Sequence, residues 1–278
     1  MFAPLEIIKN KKSATISKTR VIRVPKKMSI YQQILNSKAK SEKLLAILID
    51  PDKVALETIS TLAEKINQSP ATHILVGGSS FDGNHLDEII IQLKQNTKLP
   101  VLLFPGNPSQ ISAEADGILF LQLLSGRNPD YLIEHQVEAV PILEKTNLEV
   151  ISTGYILVES GSETAVERVS KTKPLDRNNI DYVAQTAKAS EYIGNKLIYL
   201  EAGSGAKNAV PLEMISAVSK KISIPLIVGG GIRSKIEIEN AFNSGADLVV
   251  IGTAFENDIN FFDNQHNVTL SAVEVQKK

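Results

Sequence analysis

Two apolar runs that end in glycine stand close together in residues 225–255, "PLIVGGGIRSKIEIENAFNSGADLVVIGTAF". The segment between them has helical spacing of its apolar residues and ends at Gly245, a typical C′ glycine. A strand, a helix and a second strand in this order predict two neighbouring parallel strands. Because glycine has no Cβ, the backbone N–H groups at the ends of both runs would be open to a ligand. The stretch therefore predicts one anion site shared by two adjacent strand ends.

Six more apolar runs, bounded by Gly, Pro, Asn or Asp, precede this pair. All eight are apolar throughout, as is typical of parallel strands buried on both faces: 44–50, 73–78, 100–106, 117–122, 149–158, 196–203, 225–231 and 247–252. Helical spacing occurs between most of them, in 54–68, 129–146, 181–193, 211–222 and 235–245. The pattern predicts a (β/α)8 TIM barrel. A doubly wound sheet is the alternative, but it usually has fewer strands, and neither G-x-G-x-x-G nor a Walker A sequence is present.

The connection between the third and fourth strands is unusually short. It consists of residues 107–116, "NPSQISAEAD", which cannot hold a full barrel helix and its two loops. We therefore expect a shortened or missing third helix and a gap in the outer helical ring. The gap is either a single-turn helix without consequence or a side opening that admits a long ligand.

Composition and charge limit the classes of protein to consider. We interpret residues 28–278 as one barrel domain and residues 1–27 as a basic, disordered N-terminal extension or an over-long start. Residues 1–27 carry a net charge of +7 and the remainder −8, so the body has no general attraction for nucleic acid. The absence of cysteine excludes disulfides and thiolate metal sites. No apolar run is long enough to span a membrane, which predicts a cytoplasmic protein without a transmembrane segment.

The shared anion site coincides with the usual phosphate site of such barrels, in the loops after strands 7 and 8. Gly230 and Gly231 follow the seventh run, and Gly252 and Thr253 follow the eighth. Backbone N–H groups backed by a helix N-terminus bind phosphate. Glycines that merely end a strand are the alternative for either pair alone, but the two pairs on adjacent strands together favour phosphate.

Polar residues also follow the first, second and sixth runs. Asp50 in "IDPDK" and Ser79 in "VGGSS" would place a carboxylate and a hydroxyl at neighbouring strand ends, which suits Mg²⁺. We interpret Asp52 as the N-cap of the helix that follows. In "YLEAGSG", residues 199–205, Glu201 should point toward the ligand. Tyr155 and Glu159 could line the ligand's path or be ordinary loop residues.

Taken in order, "IDPDK", "VGGSS", "GY" at 154–155, "YLEAGSG", "VGGGI" and "IGTAF" resemble the geranylgeranylglyceryl phosphate synthase family of prenyltransferases. The resemblance runs from about residue 28 to residue 262. It implies transfer of a geranylgeranyl or similar long prenyl group from its diphosphate to the 3-hydroxyl of sn-glycerol 1-phosphate, with Mg²⁺ held by Asp50 and Ser79. It also implies that the glycerol phosphate is bound by a larger set: Tyr199, Leu200, Glu201, Ala202, Gly203, Ser204, Gly205, Gly230, Gly231, Gly252 and Thr253.

One departure and several alternatives accompany this resemblance. Part of the family has a lysine two residues before the strand-1 aspartate, where this chain has Leu48, and together with "EAGSG" this points to a second subgroup. The family forms dimers and larger assemblies, so we expect a homo-oligomer. Glu201 is either the catalytic base or only a binding group for the glycerol hydroxyls. Two rival functions are a phosphosugar isomerase or lyase and a non-catalytic phosphate-binding barrel.

Overall fold

The computed structural model describes residues 28–78 and 84–263, and the interpretation of residues 1–27 lies outside them. Eight parallel strands form a closed barrel in sequence order, and β1 pairs with β8 to complete it. The strands are β1 Leu44–Ile49, β2 His73–Val76, β3 Val101–Leu103, β4 Gly117–Leu123, β5 Glu149–Leu157, β6 Leu197–Glu201, β7 Leu226–Gly229 and β8 Leu248–Ile251. The predicted (β/α)8 barrel is confirmed, and each strand lies within its predicted run to within a residue.

Side chains alternate between the barrel interior and the layer beneath the helices, because successive residues of a strand face opposite sides. On β1, Leu44 and Ala46 pack inside the barrel, whereas Leu45 and Ile47 pack outside it. Both layers are apolar, which explains why the strands read as unbroken apolar runs and not as alternating ones. The same alternation decides which residues at the strand ends face the central ligand space.

The helices surround the barrel: α1 Ile30–Ala39, α2 Ile59–Gln68, α3 Leu86–Asn96, α4 His135–Leu143, α5 Ala165–Ser170, α6 Ile180–Ile193, α7 Leu212–Lys221, α8 Lys235–Asn243 and α9 Thr253–Asn257. Helix α1 covers the amino-terminal end of the barrel. Its first amides, those of Ile30 and Tyr31, donate to the Glu149 carboxylate at 2.5 and 2.9 Å, and Ile34 packs into the interior cluster. That end is thereby closed, and a ligand space remains at the carboxyl end. Among the residues that the structure describes, no helix has the length and apolarity needed to cross a bilayer.

The connection between β3 and β4 contains one 3₁₀ turn, Pro108–Gln110, in place of a helix. The predicted loss of the third barrel helix, which would follow β3, is therefore confirmed. Two other helix predictions needed correction at their starts. The predicted helix 54–68 begins with 3₁₀ turns at Pro51–Lys53 and Leu56–Thr58, and α2 follows. The predicted helix 129–146 begins with a π-helical turn, Asp130–Glu134, before α4. The C′ glycine at 245 is confirmed, with φ of +111°.

Candidate active site

The β7 glycines make room for a buried carboxylate. Gly230 has φ of +80°, and a Cβ at this position would lie 2.1 Å from Oε1 of Glu201. Gly231 has φ of +71°, and its Cβ would lie 2.9 Å from the backbone nitrogen of Ala209. These glycines therefore have a packing role of their own, because they let Glu201 and the loop after β6 approach the end of β7.

The end of β8 is open by comparison. Gly252 has φ of −122°, and the three atoms nearest to a Cβ built there all belong to Leu48, at 3.6–3.7 Å. Thr253 begins helix α9 immediately after it, and the first N–H groups of a helix have no partner within the helix. Leu48, the residue that departs from part of the family, thus lies against the predicted phosphate loop. An apolar side chain occupies that place, so this face of the loop gains no positive charge from β1.

Glu201 is the buried ionisable group of the site. It ends β6, its side chain faces the interior, and the residue is 5% exposed. The Gly203 N–H donates to Oε1 at 2.7 Å. Burial raises the pKa of the Glu201 carboxyl to about 7, because the hydrogen bond from Gly203 offsets only part of the cost of desolvating its charge. A carboxyl group with this pKa can exchange a proton near neutral pH.

Three stacked or tilted rings lie beneath Glu201 inside the barrel. Tyr199 is 5.3 Å from Phe104 and 5.4 Å from Tyr155, measured between ring centroids. Burial and the nearby Glu201 carboxylate raise the pKa of Tyr199 well above its ordinary value, so the phenol is neutral. The Tyr199 hydroxyl lies close to the Glu201 carboxylate, and this contact offsets part of the rise in the pKa of Glu201. The phenol and the carboxyl group therefore form a polar pair inside the barrel.

Not all residues of the predicted segment 199–205 direct their side chains toward the ligand space. The side chains of Leu200 and Ala202 pack in the layer beneath the helices, so only their backbone could reach a ligand. Ser204 and Gly205 are exposed, and a Cβ at Gly205 would meet nothing within 4 Å. Among the side chains of β6, Tyr199 and Glu201 are the two that face the interior beside the β7 glycines.

Asp50 ends β1 and contacts the end of β2. A Cβ on Gly78 would lie 2.8 Å from Asp50 Oδ1, and that oxygen accepts from the Asp52 N–H at 3.2 Å. Asp50 is therefore the N-cap of the turn, and the interpretation of Asp52 as the cap is wrong. The other carboxylate oxygen lies 3.1 Å from Lys53 Nζ, which also contacts Glu256 Oε2 at 3.0 Å.

Of the two predicted Mg²⁺ ligands, Asp50 lies among the described residues and Ser79 lies outside them. Within the part of the chain that the structure describes, no three His, Asp or Glu side chains converge as a metal cluster. One partly buried carboxylate at the carboxyl end of the barrel still fits Mg²⁺, which takes few protein ligands and keeps waters and phosphate oxygens. It does not fit a zinc site, which needs three or four protein ligands.

An apolar pocket of about 810 Å³ of empty space, counting its open mouth, begins beside this polar cluster. Gly78, Phe104 and Tyr155 line its inner end, and Ile118 and Phe120 of β4 line its length. Residues 105–108 and 111 form one wall, and residues of α4 and α5 form the other: His135, Gln136, Ala139, Val166, Val169 and Ser170. The pocket lies between the short β3–β4 connection and helices α4 and α5, so of the two alternatives for the gap it favours the side opening.

Several members of this site were absent from the sequence reasoning or given no role. Lys53 stood in the quoted "IDPDK" without a function, and Glu256 was not considered. Of the two uncertain residues, Tyr155 lines the pocket, whereas Glu159 accepts a hydrogen bond from the Gly161 N–H at 3.2 Å in its own loop. Helix α4 supplies one pocket wall. The apolar residues of its sequence were the signal that could have indicated an apolar pocket there.

Together these features define a (β/α)8-barrel protein with a two-part site, a polar cluster at the strand ends and an apolar pocket beside it. The PcrB family matches residues 37–272 of the chain. Geranylgeranylglyceryl phosphate synthase of Flavobacterium johnsoniae is 66% identical over 236 residues, which are 85% of this chain and 97% of that protein. The enzyme of the same name from Pyrococcus furiosus is 42% identical, over 83% of this chain and 91% of the relative. The chain therefore belongs to the PcrB family, and the resemblance seen in the motifs is confirmed.

Solved structures agree with this assignment. The (S)-3-O-geranylgeranylglyceryl phosphate synthase of Thermoplasma acidophilum, solved with sn-glycerol-1-phosphate, superposes with a TM-score of 0.80 at 33% identity. The alignment covers 85% of this chain and 95% of that one. The tryptophan synthase α-subunit of Pyrococcus furiosus has a TM-score of 0.51 at 14% identity, so it shares the fold alone.

Proposed function

We propose that this protein is a Mg²⁺-dependent prenyltransferase. It transfers a geranylgeranyl or similar long prenyl group from its diphosphate to the 3-hydroxyl of sn-glycerol 1-phosphate. The product is an ether-linked glyceryl phosphate, a precursor for phospholipid biosynthesis. The observation that carries the proposal is the meeting of the polar cluster and the apolar pocket at Gly78, which touches Asp50 and also lines the pocket. A prenyl diphosphate has this same division into an anionic head and an apolar chain.

The glycerol phosphate would lie across the ends of β6, β7 and β8. The open backbone at Gly252 and Thr253, with the loop at Gly230 and Gly231, suits the phosphate group. The neighbouring Glu201 carboxylate and Tyr199 hydroxyl suit the glycerol hydroxyls. The sn-glycerol-1-phosphate named for the Thermoplasma acidophilum structure supports this choice of acceptor. The placement holds a chiral molecule at both ends, so it favours one enantiomer.

Glu201 would act as the base toward the acceptor hydroxyl. As the hydroxyl oxygen bonds to the first prenyl carbon, the bond from that carbon to the diphosphate breaks. The electron pair leaves with the diphosphate, and the hydroxyl proton passes to Glu201. The pKa of about 7 keeps a substantial fraction of Glu201 ionised at neutral pH and makes it a strong enough base to take the proton.

Asp50 and Ser79 would hold the Mg²⁺. When bound, the ion supplies positive charge that stabilises the negative charge growing on the departing diphosphate. Asp50 supports this role by its position, because its carboxylate lies against Gly78 at the inner end of the pocket. The head of a prenyl diphosphate whose chain lies in the pocket would therefore stop beside Asp50.

The prenyl chain would lie in the side pocket. Ligand pockets are lined mainly by apolar side chains with a few polar groups, and the lining of this pocket has that character. Phe104, Phe120 and Tyr155 offer ring faces along the path. The pocket is lined by Ile118 and Phe120 from the outer face of β4 and by Leu121 and Leu123 from its inner face. A chain can therefore extend from the carboxyl end of the barrel interior toward the surface.

The proposal includes a cytoplasmic homo-oligomer of the second subgroup. Leu48 beside Gly252 supports the subgroup, because the phosphate loop lacks the lysine seen in part of the family. Ile133, Val137 and Val140 are exposed and lie three or four residues apart on one helical segment, which supports an intersubunit surface there. Light scattering on the purified protein measures the assembly directly, and a monomer would contradict it.

The experiment that tests the function is incubation with sn-glycerol 1-phosphate, Mg²⁺ and a ladder of prenyl diphosphates, with products read by mass. We expect an ether product and release of diphosphate, both dependent on Mg²⁺. Turnover of soluble phosphosugars alone without Mg²⁺ would indicate an isomerase or lyase. Binding of glycerol phosphate without turnover of any prenyl diphosphate would indicate a non-catalytic barrel.

A further inference from the structure

Lys53 lies between two carboxylates at the carboxyl end of the barrel. Its Nζ is 3.1 Å from Asp50 Oδ2, just after β1, and 3.0 Å from Glu256 Oε2, on α9 after β8. Asp50 and Glu256 are 206 positions apart in the chain, so the fold alone brings them to one ammonium group. In the described part of the chain, Lys53 is the basic side chain that pairs with Asp50.

The Lys53 ammonium stays charged in this position. Carboxylate oxygens of Asp50 and Glu256 lie 3.1 and 3.0 Å from its Nζ, and opposite charges at such distances favour the charged form of lysine. The side chain is 47% exposed, so it can move into solvent without disturbing packing. An ion pair as exposed as this one is weak, so the Lys53 ammonium can leave Asp50 for another anion.

We propose that Lys53 is the resident counter-ion of Asp50 and that it opposes entry of a divalent cation until a diphosphate arrives. This inference rests on the proposed function, in which Asp50 binds Mg²⁺. Two cations bound to one carboxylate group repel each other, even when each contacts a different oxygen. Glu256 gives the displaced ammonium a second anchor. A bound diphosphate gives it further anionic oxygens to pair with.

The consequence is coupled binding at the site. In the free enzyme, Lys53 lowers the affinity of Asp50 for a divalent cation. With diphosphate present, the same ammonium pairs with the ligand, and the cation binds more tightly. Metal and diphosphate then enter together, so the free enzyme does not hold Mg²⁺ in a site that lacks its substrate.

The test measures binding of Mn²⁺ as a spectroscopic probe for Mg²⁺, by electron paramagnetic resonance on the full chain without turnover. Lys53→Met, which keeps the length and removes the charge, should bind Mn²⁺ about tenfold or more tightly than the parent protein. Glu256→Gln, which leaves Lys53 with Asp50 alone, should bind it more weakly. Lys65→Met removes a comparable ion pair to Asp263, 2.6 Å long, and should change nothing.

Inorganic pyrophosphate provides the second arm. It should tighten Mn²⁺ binding in the parent protein by a larger factor than in Lys53→Met, because only the parent has an ammonium to release from Asp50. An equal factor in both proteins would overturn the coupling, and unchanged Mn²⁺ affinity in Lys53→Met would overturn the inference as a whole.

Asp50→Asn separates this failure from failure of the proposed function. If Asp50→Asn binds Mn²⁺ as tightly as the parent, Asp50 is no metal ligand, and both the proposed metal site and the counter-ion role are wrong. If Asp50→Asn loses the metal while Lys53→Met binds it like the parent, the metal site stands and only the role of Lys53 is wrong.

Discussion

The polar cluster at the strand ends and the side pocket are built in opposite ways. The cluster is formed by particular residues at the strand ends: glycines that open the backbone, the buried Glu201, and Asp50, which contacts Gly78 after β2. The pocket is defined by what the chain omits, because a three-residue turn replaces a barrel helix and leaves the outer face of β4 uncovered. The two regions meet at Gly78, so one barrel can hold two ligands of opposite character side by side.

Substitutions in the two regions should therefore have different effects. Substitutions in the cluster should change metal binding, proton transfer or glycerol phosphate affinity, and they should leave prenyl chain length unaffected. Substitutions in the pocket should change which chains are accepted and leave the acceptor side intact. A cluster variant that changes the accepted chain length, or a pocket variant that changes glycerol phosphate affinity, would show that the two regions are not separate functional units.

The largest effect is expected for Asp50→Ala, which should nearly abolish turnover. The substitution removes the proposed metal ligand at a strand end and no core contact, so the fold should remain. Prenyl diphosphate binding should weaken more than glycerol phosphate binding, because the metal serves the diphosphate. Steady-state rates and calorimetric titrations measure both. Undiminished Mg²⁺-dependent activity would remove Asp50 from the site.

Glu201→Gln should lower kcat by roughly 10²–10⁴-fold, the usual contribution of a positioned base. Glutamine keeps the size and accepts the hydrogen bond from Gly203, so only the basic carboxylate is lost. In the parent enzyme, kcat/KM should fall as the pH drops below about 7, because Glu201 becomes protonated. A variant that keeps kcat and loses only glycerol phosphate affinity would show that the carboxylate binds without taking the proton.

The same substitution has a stability readout that does not depend on substrate. The pKa of Glu201 is raised to about 7 in the fold from its ordinary 4.5, so its ionisation destabilises the folded state. This penalty is absent below pH 4.5, grows between 4.5 and 7, and is complete above 7. Glu201→Gln should therefore be more stable than the parent at pH 8, by on the order of 3 kcal/mol, and the gap should close toward pH 5. Denaturant titrations at both pH values measure this difference.

Gly252→Val should raise the KM for glycerol phosphate by about 10- to 100-fold, the loss expected for one charge-assisted hydrogen bond. The three atoms nearest to a Cβ at Gly252 all belong to Leu48 and lie at ordinary contact distances, so the added side chain should enter the phosphate space. Gly230→Ala provides the contrast, since its Cβ would strike the Glu201 carboxylate and the backbone nitrogens of Ala202 and Gly203 and should lower both kcat and stability. Equal KM values for Gly252→Val and the parent would place the phosphate elsewhere.

The smallest effect is expected in the pocket. Ala139 is 4% exposed and lines it, so Ala139→Phe should shorten the prenyl chain that is accepted and raise the KM for the longest diphosphates several-fold. Glycerol phosphate KM should not change. Glu138→Phe on the exposed face of the same helix is the matched control. Competition among prenyl diphosphates, read by product mass, measures the shift, and a change in glycerol phosphate KM would contradict the separation.

The sequence allowed much of the fold to be predicted, because strands buried on both faces give unbroken apolar runs and a ten-residue link cannot hold a barrel helix. Glycines at the ends of β7 and β8 were equally visible. The contact of Lys53 with Asp50 and Glu256 was not, since it depends on how β1 and β8 meet in space. The pKa of Glu201 depends on burial, which a motif does not record. The outward direction of Leu200 and Ala202 follows from strand alternation and could have been anticipated.

We propose that the polar cluster binds the acceptor by its phosphate and by its hydroxyls, and that it presents a single hydroxyl to the prenyl carbon at the pocket. Rates with sn-glycerol 1-phosphate and sn-glycerol 3-phosphate, measured with the same prenyl diphosphate and Mg²⁺, test it most directly. Phosphate bound at β8 and hydroxyls bound at Glu201 can align only one enantiomer. The sn-1 compound should therefore react far faster and give one ether product by mass. Equal rates with both enantiomers, or no ether product with either, would contradict the account.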